Sequence, residues 1–126
     1  MAYIDGYAFT VDSARRAEFT AFCESVDTWF LENGALRVVE TWGEEVPRGK
    51  ATDFHRAVAA REDETVCFSW IEWPDRATRD AAMERMGEAA GSDPRLDPEA
   101  NPPPFDGARM IFGSFTPVFD RTATGT

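Results

Sequence analysis

Two carboxylates stand among tryptophans in strand-like stretches of this chain: Glu40 in VVETWG and Glu72 in FSWIEWPD. Along an extended strand, side chains alternate between faces. Glu40 therefore shares a face with Val38 and Trp42, and Glu72 shares one with Phe68 and Trp70. A carboxylate against indole rings has its charged form disfavoured, which raises its pKa and suits it to general acid or base work. Both also have a structural reading. Glu72 lies just before Pro74, where it could cap the following helix or pair with Arg76 or Arg79. Glu40 is mid-strand and must be paired, protonated or solvated in a cavity. Arg37 is on the opposite face, so Arg56 or Arg109 from other strands would be its partner. His55 is the sole histidine, and its unperturbed pKa is near neutral. If residues 52–60 are extended, Asp53 and His55 share a face, an arrangement in which a carboxylate orients an imidazole. Tyr3, Asp5 and Tyr7 alternate onto one face of the first strand and could line a cavity.

The candidate catalytic residues are thus Glu40, Glu72 and His55. The candidate ligand-binding residues are Tyr3, Asp5, Trp42, Arg56, Trp70 and Arg109. No metal site and no cofactor is expected. Cys23 and Cys67 form no CxxC pair, and one histidine beside them falls short of the four close ligands of a structural zinc site. Neither cysteine has a His or Lys nearby in sequence to activate it. No nucleophile elbow, phosphate-binding loop or dinucleotide fingerprint is present.

The 126 residues carry 23 acids against 13 bases, a net charge of −10. Phosphate backbones are bound by clustered Lys and Arg; here the arginines are scattered and Lys50 is the only lysine, so nucleic acid is excluded as a partner. No apolar run approaches the ~20 residues of a membrane span. The start, MAYIDGYAF, has no basic segment before an apolar core, so a cytoplasmic location is expected.

The elements that must position these residues follow from periodicity and caps. Strands are predicted over 2–10, 35–43, 65–73 and 108–118, with a weaker one over 52–60. Helices are predicted over 13–32 and 74–90. The first carries an apolar stripe of Phe19, Phe22, Val26, Trp29 and Phe30 and stops at Asn33-Gly34. The second starts at Pro74-Asp75. Residues 91–107 hold five of the eight prolines and are predicted to be a long loop or flap. The order β-α-β-(β)-β-α-β is a split βαβ, ferredoxin-like α+β pattern with an antiparallel sheet and both helices on one face. Residues 1–118 are expected to form a single domain, and 119–126 a frayed tail. Neither sheet face reads as polar. Helices cover only one, so a homodimer through the other is expected; the duller reading is a monomer whose long loop covers it.

GALRVVETWGEEVP, TDFHRAV, FSWIEWPDRATRDAA and PFDGARMIFGSF together resemble the YbaA-like family of small uncharacterised bacterial proteins, over about residues 2–118. The resemblance implies the dimeric α+β barrel fold, in which two ferredoxin-like sheets pack face to face. That wider superfamily includes cofactor-free monooxygenases, isomerases, haem enzymes and regulatory ligand-binding domains. In its monooxygenase-like members, a histidine often sits on the helix after the Glu/Trp strand; PDRATRDAAMERMG has none.

Two functions follow as expectations. The first is binding of a small, partly aromatic molecule between sheet and helices, with cofactor-free catalysis. The second is a non-catalytic dimeric ligand-binding or protein-interaction module. A cavity of ~300 Å³ or more holding a buried carboxylate would favour the first. Solid packing with each Glu paired to Arg would favour the second.

Overall fold

Aromatic and small side chains from Tyr3 to Asp12 form strand β1, in the interior of the sheet. The computed structural model describes residues 2–124. In it β1 pairs antiparallel with β3 (Glu64–Trp73) on one side and β4 (Ile111–Phe115) on the other. β2 (Arg37–Glu40) pairs antiparallel with the far edge of β3, giving the order β2-β3-β1-β4. Helices α1 (Arg16–Glu32) and α3 (Arg76–Ala89) supply Trp29, Phe30, Ala82, Met83 and Met86 to a core that includes Ile71, Trp73, Tyr3 and Tyr7. All four of those sheet residues point the same way, so both helices cover one face. This is the ferredoxin-like α+β fold expected from the element order.

Local chemistry sets the helix ends. The Asp12 side chain accepts a hydrogen bond from the Ala14 amide at 2.9 Å and opens a single 3-10 turn, Ser13–Arg15, before α1. Asp75 caps α3 by accepting from the Thr78 amide at 2.7 Å. Gly34 follows α1 at φ 108°, and a Cβ there would lie 2.6 Å from Thr78 Cγ2 on α3. Gly34→Ala therefore combines a left-handed backbone penalty with overpacking, and is expected to cost about 2 kcal/mol. Urea denaturation checks it; an unchanged midpoint would refute this account of the turn.

Three predicted elements differ. Residues 52–60 are not a strand: α2 (Phe54–Ala57) is a short helix, because Asp53 accepts from the Arg56 amide at 2.7 Å and caps it. The shared face proposed for Asp53 and His55 disappears with the strand. β2 is shorter than 35–43. After Glu40 the Thr41 hydroxyl donates to the Phe68 carbonyl, and Gly43 comes so close to the Val66 carbonyl that a Cβ would collide with it. β4 is shorter than 108–118, since Gly107–Arg109 forms a 3-10 turn capped by Asp106.

The proline-rich segment packs on the helix side. Leu96 joins the core near Trp73, and Phe105 meets Phe9 at 5.1 Å and Phe22 at 5.6 Å between ring centroids. It does not cover the other sheet face, so the monomer reading loses its cover. Beyond β4, Val118 and Phe119 are exposed; residues 125–126 of the predicted tail lie outside the described residues. No described helix is long and apolar enough to cross a membrane.

Candidate functional site

α1 brings Cys23 and Asp27, one turn apart, onto the face that also carries Phe19 and Phe30. β2 brings Glu40, which stands opposite Ser69 in the register and so points toward the helices. Asp27 and Glu40 line a cavity of about 230 Å³, walled largely by Phe9, Phe19, Phe22, Phe30, Val26, Val38, Ile71, Phe105 and Met110. Its polar lining comes from Tyr7, Asp27, Glu40 and Ser69.

Glu40 thus has a partner, and it is a second acid. Asp27 is pushed up to about 9, first by burial, then by the hydrogen bond and the negative charge of Glu40. Two carboxyls this close cannot both ionise cheaply in an apolar wall, and Asp27 keeps its proton at neutral pH. Glu40 Oε1 is buried and, the protons of Asp27 and Cys23 aside, Glu40 takes no side-chain hydrogen bond from the described residues. The Cys23 thiol is pushed up by burial and by Glu40, and burial raises Cys67 to about 12, so neither is a thiolate nucleophile. The Tyr7 phenol is also pushed up, mainly by burial and then by Asp5. Cys23, Asp27 and Glu40 each place a ligand-type atom within 4.8 Å of the others. That is three donors, one short of a closed zinc site.

The other predicted residues are not brought to this cavity as a group. Arg56 donates to the carbonyls of Lys50 and Gly49 at 3.0 and 2.6 Å, holding the loop before α2. Arg109 grips Glu64 through two bonds of 2.7 Å and also binds Asp106 and the Ala59 carbonyl. That grip holds Glu64 down to about 2. Neither arginine reaches Glu40. Glu72 points to the opposite sheet face, where it accepts from Trp70 Nε1 at 2.9 Å and lies 3.5 Å from Arg37, rather than pairing with Arg76 or Arg79. His55 sits on α2 with its Nδ1 buried and unpartnered. Asp53, which was to orient it, is spent on Arg56 and Gly49.

Asp5 is 2% exposed and accepts from Trp73 Nε1 at 3.0 Å, Arg79 Nε at 3.1 Å and Ser114 Oγ at 2.6 Å. Those donors satisfy it as a structural anchor. Tyr3 lies under the Arg76 and Arg79 guanidinium groups. Trp42 packs on Phe19 and carries Arg16 over its ring at 5.4 Å. Of the nine candidates, Glu40 turns its side chain to the cavity; Trp70 borders it while its indole lies on the other face with Glu72, and Trp42 backs its wall through Phe19.

Asp27 was missed. The signal was its spacing: residues 19, 23, 26, 27 and 30 trace one helical stripe, and an acid inside an apolar stripe needs a reason.

The opposite sheet face presents a second hollow of about 620 Å³, lined by Ile4, Ala8, Phe54, Phe68, Trp70, Ile111 and Phe115 among others. Phe68 is 45% exposed and Phe115 is 60% exposed. Among the described residues, no charged side chain lines it.

A family model described as a protein of unknown function, DUF1428, matches residues 2–107. The chain is 43% identical over 120 residues to the uncharacterised protein YbaA of Escherichia coli strain K12, covering 95% of this chain and 99% of that one. The same figures hold for YbaA of Shigella flexneri. Among solved structures, a dimeric ferredoxin-like protein from an uncultured marine organism superposes with a TM-score of 0.50 at 12% identity, covering 91% of this chain and 92% of that one. This likeness agrees with the fold described above.

Proposed function

The chain belongs to the DUF1428 family, and from that premise we propose that it binds a small molecule against the Asp27–Glu40 pair and works as a homodimer. Residues 1–118 act as the domain. The observation that carries the reading is a pair of carboxyls, Asp27 holding its proton beside Glu40, that line a cavity between sheet and helices. A pair in this state can give or take a proton without a cofactor, which suits isomerisation or proton abstraction next to a carbonyl. At about 230 Å³ the cavity falls below the ~300 Å³ of ordinary ligand pockets, so the ligand is compact.

The exposed apolar sheet face supports the dimer. Monomeric proteins rarely leave a contiguous apolar face of this kind in water, and the marine structural neighbour is described as dimeric. A face-to-face pairing would cover the open hollow and leave the Asp27–Glu40 cavity on the helix side, away from the contact.

Thermal-shift screening with compact aromatic molecules of every charge type tests the reading. Hits should raise the melting temperature of the wild type and lose their effect in Val26→Trp, which fills the cavity. A hit that stabilises Val26→Trp equally would place binding elsewhere and sink the proposed site.

A further inference from the structure

Resting on the small-molecule reading above, we propose that the ligand of the Asp27–Glu40 cavity carries a protonated amine on a compact apolar body, a molecule of the size and kind of an arylethylamine.

The argument begins with charge. Asp27 and Glu40 set two carboxyl groups into the wall of one apolar cavity. Among the described residues, no Lys, Arg or His lines that cavity. The arginines of the neighbouring elements are engaged elsewhere: Arg79 with Asp5 and Asp80, Arg109 with Glu64 and Asp106, and Arg16 over Trp42. Buried charges are normally paired, and among the described residues none of these cations faces the two carboxyls.

Hydrogen-bond capacity agrees. The two carboxyls offer more acceptor positions than the Asp27 proton can fill. An ammonium brings three donors and no acceptor, which suits a pair that has more acceptors than donors. A carboxylate or phosphate would meet like charge and find no arginine. The walls add a second preference. Phe9, Phe19, Phe22, Phe30 and Phe105 surround the site, and ring faces attract cations while giving apolar contact to the ligand body. These walls favour an organic cation over a metal ion, which would find three protein donors, one of them a thiol that keeps its proton.

The test uses the full chain at pH 7 and three matched probes: 2-phenylethylamine, its neutral counterpart 2-phenylethanol, and the anion 3-phenylpropionate. Binding is read by thermal shift and calorimetry. Phenylethylamine is expected to bind about tenfold or more tightly than phenylethanol, the scale of a hydrogen bond to a charged group, and phenylpropionate not at all. Asp27→Asn combined with Glu40→Gln should erase that preference while phenylethanol still binds, which shows that the cavity has survived. If the double variant fails to fold, Glu40→Gln alone must lower amine affinity about tenfold.

Equal affinity for amine and alcohol would overturn the ammonium assignment and leave the small-molecule reading standing, as would a preference for the anion. Stabilisation by zinc chloride but not by the amine would overturn it in favour of a metal. Amine binding unchanged in the double variant would place the amine elsewhere and overturn it. A cavity that takes none of these probes, nor any compound of the broader screen, defeats both readings.

Discussion

Replacing Asp27 by asparagine is expected to stabilise the protein by about 2–3 kcal/mol at pH 8 and to change little at pH 4. The folded chain keeps a proton that the unfolded chain releases near 3.8, and surrenders it only near 9. Between those values the folded state binds more protons, so its stability is full below about 3.8 and drains away as pH rises toward 9. Asparagine cannot ionise in either state, and its amide supplies Glu40 with a permanent donor. About four pH units at about 1.4 kcal/mol each set an upper bound near 5–6 kcal/mol. Solvent reaches a half-buried group and screens part of that, which gives the smaller figure. Tyr7 and Cys23, which adjoin the pair, are both pushed upward; they stay protonated through the window and do not confuse the reading. Urea denaturation at fixed protein concentration, at pH 4.5 and at pH 8, measures the effect. An advantage that is the same at both pH values would mean that Asp27 does not titrate in the fold as described.

Phe68→Asp is expected to turn the protein into a folded monomer. Phe68 stands on the open sheet face, in ring contact with Phe54 at 6.1 Å and Trp70 at 5.9 Å. In a two-fold pairing the same face meets itself, so the substitution puts two carboxylates into one apolar contact. Losing a central aromatic anchor and desolvating charge costs about 4 kcal/mol or more, at least roughly a thousandfold in dimer affinity. In the single chain the position is 45% exposed, so the fold itself should tolerate the change. Light scattering after size exclusion gives the mass, and circular dichroism reports the fold. A wild type that is monomeric at tens of micromolar, or a Phe68→Asp variant that stays dimeric, would refute the sheet-face pairing.

The split between what could and could not be read in advance has physical causes. Strand alternation in FSWIEWPD and the stripe of α1 are local signals, and they carried the fold. Glu40 also declared itself locally, because a mid-strand acid between Val38 and Trp42 must have a special environment. Its partner did not. Asp27 lies thirteen positions away on another element, and nothing in either segment says that the two meet. The pocket drawn from sequence joined Glu40 to Glu72, yet Val39 is paired with Trp70 and Arg37 with Glu72, which places the two acids on opposite faces. Register is a pairing property, invisible to either strand alone. Arg56 and Arg109 show the same limit, since their partners are fixed by loops and turns. In α2 two local signals competed: Thr52 to Ala60 alternates weakly, but the Asp53 cap prevailed over so short a stretch.

The place of β1 also governs the order in which the molecule can assemble. The strand is flanked by β3 and β4, and the bond from Ser114 to Asp5 spans 109 positions of chain. Local helices and the α1–β2 turn can form early, because they close short loops. The pairing of β1 with β4 closes nearly the whole chain, and its entropy must be spent before any contact there is repaid. Until that happens, one flank of β1 stays an open edge. The Asp5 cluster works as the molecule's last clasp, and it fastens only once everything between its two ends is in place.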